Sequence, residues 1–133
     1  MMKILLVDDS FITRQWIKDT LSPLGECDIA ANGEEAILAY KLAFEAQKPY
    51  DLICMDLLMP VMDGDQALRA IRAVEQASRI SAVHQVKVIM ITACDDPKTR
   101  LDPTFLNGST AFLVKPFTAE DLLQEIINLG LYQ

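Results

Sequence analysis

The sequence predicts an α/β fold, a doubly wound parallel sheet with helices packed on both faces. Three observations carry this. Short aliphatic runs alternate with longer amphipathic stretches, β then α, five times in 133 residues. The runs are too apolar to leave either side in water, as strands covered on both faces must be. The stretches between them repeat apolar residues at three- and four-residue spacing, the mark of a helix with one covered face. Strands and helices alternating in this way are joined by right-handed crossovers.

The first strand is expected over 3–7 and stops at Asp8-Asp9-Ser10, where a helix over 10–21 begins. Asp and Ser are good caps at that point. Ser22-Pro23-Leu24-Gly25 closes this helix. A strand over 27–30 leads to Asn32-Gly33 and a helix over 33–46, whose inward face is Ala36, Ile37, Tyr40, Ala43 and Phe44. The third strand covers 52–55 and delivers Asp56. The third helix covers 64–75, with Leu68, Ile71 and Val74 inward. The mixed stretch from Glu75 to Gln85 is expected to continue that helix and end as a loop. The fourth strand, 87–92, ends at Thr92. A helix is expected near 97–107, starting late because Asp102-Pro103 reads as a cap followed by proline in the first turn. Asn107-Gly108 closes it. The last strand, 111–114, delivers Lys115, and the last helix, 118–129, turns Leu122, Leu123, Ile126 and Ile127 inward.

The length suits one domain, 1–133. The formal net charge of -7 argues against direct nucleic-acid binding, which needs clustered Lys and Arg. It suits a protein that binds cations or basic protein surfaces. The 3 cysteines, Cys27, Cys54 and Cys94, form no CxxC pair and read as reduced thiols, with Cys54 in the core. Met1-Met2-Lys3 enters a strand directly, without a signal-peptide pattern. No apolar run approaches the ~20 residues of a membrane helix. A cytoplasmic location is expected.

In an open parallel sheet, ligands bind beyond the carboxyl ends of the strands. There this sequence places Asp8, Asp9, Asp56, Thr92 and Lys115. Mg²⁺ uses one or two carboxylates and keeps its remaining positions for water or phosphate. Asp9 and Asp56 would serve as direct ligands, Asp8 through water, and the Leu58 backbone carbonyl would add an oxygen. A carboxylate can also be a nucleophile, here Asp56, and its product is an acyl phosphate. Lys115 and Thr92 would meet the charged oxygens of the incoming group. Taken singly, each residue has a plainer role: helix cap, turn former, strand former or solvated charge. Their joint placement on four of five strand ends favours the chemistry. His84 reads as a surface residue rather than a phosphate carrier. The sequence holds no zinc ligand set, no Gly-rich nucleotide loop and no Ser-His-Asp triad.

Four segments, ILLVDDS, DLICMDLLMPVMDG, VIMITA and AFLVKPF, together resemble the receiver domain of two-component response regulators, over nearly the whole chain. The resemblance implies the flavodoxin-like (βα)5 fold with strand order 2-1-3-4-5. It implies Mg²⁺ as cofactor, Asp56 as phosphoacceptor, Thr92 as switch hydroxyl and Phe112 as the aromatic that changes rotamer. The Lys115-Pro116 bond is expected to be cis. Phe112 stands where relatives often carry Tyr, so any contact through a hydroxyl there is lost. The sequence after the last helix is short, which resembles stand-alone, chemotaxis-type receivers.

The expected function is a phosphorylation-controlled signalling module, not an enzyme beyond self-phosphotransfer and self-dephosphorylation on Asp56. Its donor would be a sensor histidine kinase or histidine phosphotransfer protein, and an output protein would read the result. Membranes are not expected as partners. Two other readings compete. A phosphatase with an aspartyl-phosphate intermediate would want an acid two residues past Asp56, where Leu58 stands. A scaffold indifferent to phosphate would not need the five polar groups. Leu58 and Cys94 are poor partners for a hydrolytic water, so slow loss of phosphate is expected. Asp95 or Asp96 could supply the missing polar group.

Overall fold

The computed structural model describes residues 1–93 and 110–132. The elements run β1 (Met2–Val7), α1 (Phe11–Leu21), β2 (Gly25–Ala30), α2 (Gly33–Glu45), β3 (Leu52–Asp56), α3 (Gly64–Ala77), β4 (Lys87–Ala93), β5 (Thr110–Lys115) and α4 (Ala119–Asn128). The five strands form one parallel sheet in the order β2-β1-β3-β4-β5, as the resemblance implies. The helix expected near 97–107, with Cys94, Asp95, Asp96, Asp102-Pro103 and Asn107-Gly108, lies outside the described residues.

Alternation along each strand divides the core in two. Leu5, Val7, Ile53, Met55, Val88 and Met90 point to one face, which α2 and α3 cover. Ile4, Leu6, Cys54, Ile89 and Ile91 point to the other, which α1 and α4 cover. Central residues are at most 1% exposed, so burial contributes about 1.5–3 kcal/mol for each large side chain. Ile127 is the exception to the expected inward faces. It is 38% exposed, one position past the buried Ile126, because α4 presents only a narrow stripe to the sheet.

The strands are longer than expected at their ends. β2 starts at Gly25 because Gly25 pairs with Met2. A Cβ there would collide with the Met2 carbonyl, so only glycine lets the chain enter the ladder. Caps follow the sequence closely. Ser10 caps α1, Asn32 caps α2 by accepting from the Glu35 N–H at 3.0 Å, and Thr118 caps α4. α3 runs on to Ala77, and a single 3₁₀ turn, Ala82–His84, interrupts the loop before β4. Lys115-Pro116 is cis, as expected.

Candidate functional site

The order β2-β1-β3 reverses direction at β1 and β3, and this opens a crevice beyond their carboxyl ends. Asp8 and Asp9 leave β1 there, and Asp56 is the last residue of β3. Ligand oxygens of Asp8, Asp9 and Asp56 lie within 4.8 Å of one another. From the other side, β4 and β5 bring Thr92 and Lys115. Asp56 pairs with Ile91, and Thr92 with Val114, so the three functional positions step along adjacent strand ends. The Lys115 Nζ stands 3.4 Å from Asp56 Oδ2. Thr92 is 1% exposed. Phe112 is half-buried against the core under α2 and α3.

The loop after Asp56 is tightly held. The Leu57 N–H donates to the Ile91 carbonyl and the Gly64 N–H to the Leu57 carbonyl, each at 2.8 Å. Within it, Met62 N–H donates to the Pro60 carbonyl at 2.8 Å, and Val61 between them has φ of 72°. A β-branched residue in that region costs on the order of 1–3 kcal/mol and persists where the surrounding structure enforces it. Leu58 lies on this loop with its side chain exposed, and its backbone amide opposes the rise of the Asp56 carboxyl.

Burial dominates the electrostatics. It raises the Asp56 carboxyl above its ordinary value, with Lys115 opposing and Asp8 adding to the rise. It raises Asp8 likewise, opposed by the Ser10 N–H, which donates to Asp8 Oδ1 at 2.8 Å. The other oxygen, Asp8 Oδ2, is buried without a hydrogen-bond partner among the described residues. A buried carboxylate oxygen is costly to leave unsatisfied. Three converging carboxylates with one such oxygen are the donor set that a hard divalent cation completes, so the residues present fit Mg²⁺.

The sequence reading missed Arg14. Its Nη1 donates to the Asp8 backbone carbonyl at 3.0 Å, pinning the start of α1 to the crevice. The available signal was position: Arg14 lies one helical turn beyond Ser10, on the same face as that cap. Also missed was an apolar groove beside the site, lined by Ile12, Trp16, Pro116 and Phe117 and reaching Lys115. Trp16 and Phe117 meet edge to face there, with centroids 5.6 Å apart.

A family model described as the response regulator receiver domain matches residues 4–127. The chain belongs to this family, the receiver modules of two-component signalling. It is 34% identical over 126 residues to the chemotaxis protein CheY of Bacillus subtilis (strain 168), spanning 93% of each chain. It is also 34% identical over 140 residues to histidine kinase 5 of Arabidopsis thaliana, spanning 90% of this chain but only 15% of the kinase. Among solved structures it resembles a chain of the CheX–CheY–BeF3–Mg²⁺ complex from Borrelia burgdorferi. That match has a TM-score of 0.76 and 27% identity, and covers 97% of this chain and 89% of that one. No described helix is long and apolar enough to cross a membrane.

Proposed function

We propose that Asp56 is the phosphoacceptor of this receiver, and that its modification switches binding to a partner protein. The carrying observation is the convergence of three carboxylates within 4.8 Å, with Lys115 Nζ 3.4 Å from the Asp56 carboxylate. An Asp56 oxygen attacks the phosphorus of a phosphohistidine. The P–N bond breaks, the imidazole leaves with the electron pair and takes a proton, and an acyl phosphate remains. Asp9, Asp56 and the Leu58 carbonyl would hold Mg²⁺, with Asp8 reaching it through water. When bound, the ion would offset charge on the phosphoryl oxygens. Lys115 exchanges its bond to Asp56 for one to a phosphoryl oxygen, and Thr92 turns its hydroxyl to another. Asp8 and Arg14 hold the rim in place. Water attack on the phosphorus later restores the carboxylate and releases inorganic phosphate.

The donor is a phosphohistidine on a sensor kinase or phosphotransfer protein. The groove continuous with Lys115 supports this, because Ile12 is 80% exposed and Trp16 41%, and a partner reaching Asp56 crosses that face. Output follows from movement of Thr92 toward the phosphate and of half-buried Phe112 into the space released, a shift between two populations. The module acts in the cytoplasm and contacts no nucleic acid itself. Incubation with a small phosphodonor and Mg²⁺ tests this reading. Intact mass should rise by one phosphoryl group, and Asp56→Asn should abolish the gain. An equal gain in that variant would place the acceptor elsewhere.

A further inference from the structure

A second concavity lies at the opposite pole of the sheet, where the strands begin. The loop between α3 and β4, with its turn at Ala82–His84, folds toward the end of α2 and encloses a cleft of about 390 Å³. Small-molecule sites are commonly about 300–1,000 Å³, mostly apolar, with a few polar groups. Phosphoryl transfer at the acidic rim makes no use of this cleft.

Its floor is aromatic: Tyr40, Phe44 and Tyr50 line it. The Tyr40 and Phe44 rings are stacked, with centroids 6.3 Å apart and planes 22° apart. Hydrogen bonds beneath hold the floor. Tyr40 donates its hydroxyl to Glu75 at 3.1 Å, and the Val86 N–H donates to the same carboxylate at 2.7 Å. Tyr50 donates to Asp28 at 2.7 Å. Glu75 is fully buried, and the Arg72 guanidinium, 2.7 Å away, balances its charge. A cleft whose lining is already fixed loses little freedom on binding.

The rim is polar. Asp51 is occupied, since its carboxylate accepts the Lys3 backbone N–H at 2.8 Å. His84 Nδ1 meets the Ser81 hydroxyl at 2.8 Å. Lys87 and Gln85 add a cation and an amide. Outside the lining, the Lys3 ammonium covers the Tyr50 ring at 4.9 Å and donates to the Lys48 carbonyl at 2.9 Å. The rim therefore sets the Lys87 cation and an amide donor beside the Asp51 carboxylate, above an aromatic floor.

We infer that this cleft binds a small aromatic acid, with its one or two fused rings between Phe44 and Val83 and its carboxylate on Lys87. Aromatic surfaces prefer ring partners in offset or edge geometry, and an ammonium prefers an anion. The test titrates the full chain with naphthoate, without a phosphodonor, while backbone amide shifts are followed by NMR. Saturable shifts should centre on Tyr50, Val83, Val86 and Lys87. Lys87→Gln should weaken naphthoate about fivefold, the factor for one partly exposed charge pair, and leave neutral naphthalenemethanol unchanged. Val83→Glu, at a position 79% exposed and so harmless to the core, should also weaken the acid selectively. The inference is overturned by an absence of saturable shifts at these amides, by shifts centred on the Trp16 groove instead, or by naphthoate binding equally to wild type and both variants.

Discussion

Replacing Asp8 with Asn should stabilise the protein at neutral pH and blunt its response to Mg²⁺. Asp8 is 2% exposed, and its Oδ2 has no hydrogen-bond partner among the described residues. Its carboxylate lies within 4.8 Å of two others. Two charges at that separation repel by about 1–3.5 kcal/mol as the effective dielectric falls from ~80 to ~20. Asn retains an acceptor for the Ser10 N–H and turns the orphan oxygen into a donor facing Asp9 and Asp56. Asp9 is exposed, and Asp56 is already partnered by Lys115. The gain therefore falls near the low end, about 1 kcal/mol.

The pH dependence has a definite sign. Burial raises the Asp8 carboxyl above its ordinary value of 3.8, and Asp56 likewise. A carboxyl raised in the folded state contributes stability that is full below 3.8 and lost as pH rises through the folded value. The cost to wild type thus grows as pH rises, and the advantage of Asp8→Asn should shrink as acid protonates the site. Urea midpoints at neutral and mildly acid pH, with and without Mg²⁺, measure this. With a slope of about 1–3 kcal/mol/M, the neutral-pH midpoint should rise by about 0.3–1 M. Mg²⁺ should raise the wild-type midpoint, because an ion that binds only the folded state stabilises it, and should raise the variant's less. A variant less stable than wild type at neutral pH, or a gain of equal size in acid, would refute the reasoning.

Three further outcomes follow from the same structure. Glu75→Ala should cost about 2–5 kcal/mol in urea unfolding, because it leaves the Tyr40 hydroxyl and the Val86 N–H without an acceptor in the core, while Arg72 keeps its bonds to Val86 and Thr110; a loss below about 1 kcal/mol would mean water replaces the carboxylate. Gly64→Ala would press a Cβ against the Asp56 carbonyl and the Met90 methyl. It should destabilise by about 1–3 kcal/mol and weaken Mg²⁺ binding measured by titration, whereas full-affinity binding would show that the loop yields without moving Asp56. Leu58→Asn, at a position 52% exposed beside Asp56, supplies a group that can orient water. Phosphate loss timed by mass spectrometry should be faster than in wild type, and an unchanged rate would dismiss Leu58 as a shield.

The fold was legible because each layer of the sequence points the same way. Leu5 and Leu6 are both buried, on opposite faces, and only a strand covered on both sides makes that possible. The rim was legible for a related reason. A run that apolar stops where the sheet stops, so the polar residue ending it stands at the crevice by construction. Asp8, Asp56, Thr92 and Lys115 were each found this way, and Asp9 by adjacency. Strand ends were less legible. Gly25 begins β2 through the ladder partner it meets, and that partner, Met2, is distant in sequence.

The Glu75 network shows where pattern reading stops. Glu75 sits four residues beyond Ile71 on the inward stripe of α3, where the helical period calls for an apolar side chain. The anomaly is visible in sequence, but its resolution is not. Tyr40 comes from α2, 35 residues away, and Val86 from the entry to β4, 11 residues on. Arg72, three residues before Glu75 on the same helix, is the one partner whose spacing announces it. Arg72 also donates to the Val86 carbonyl at 2.8 Å and to Thr110, the first residue of β5, at 3.3 Å. The Arg72–Glu75 pair thus ties α2, α3, β4 and β5 together at the pole away from the acidic rim. A carboxylate kept in a core at the cost of desolvation earns its place through such multiple bonds, each useless without the others. The same fixation leaves Tyr40 and Val86 as the rigid lining of the second cleft. The rim follows from where strands end. The cleft follows from how one buried charge is satisfied, and that requires knowing which helices lie side by side.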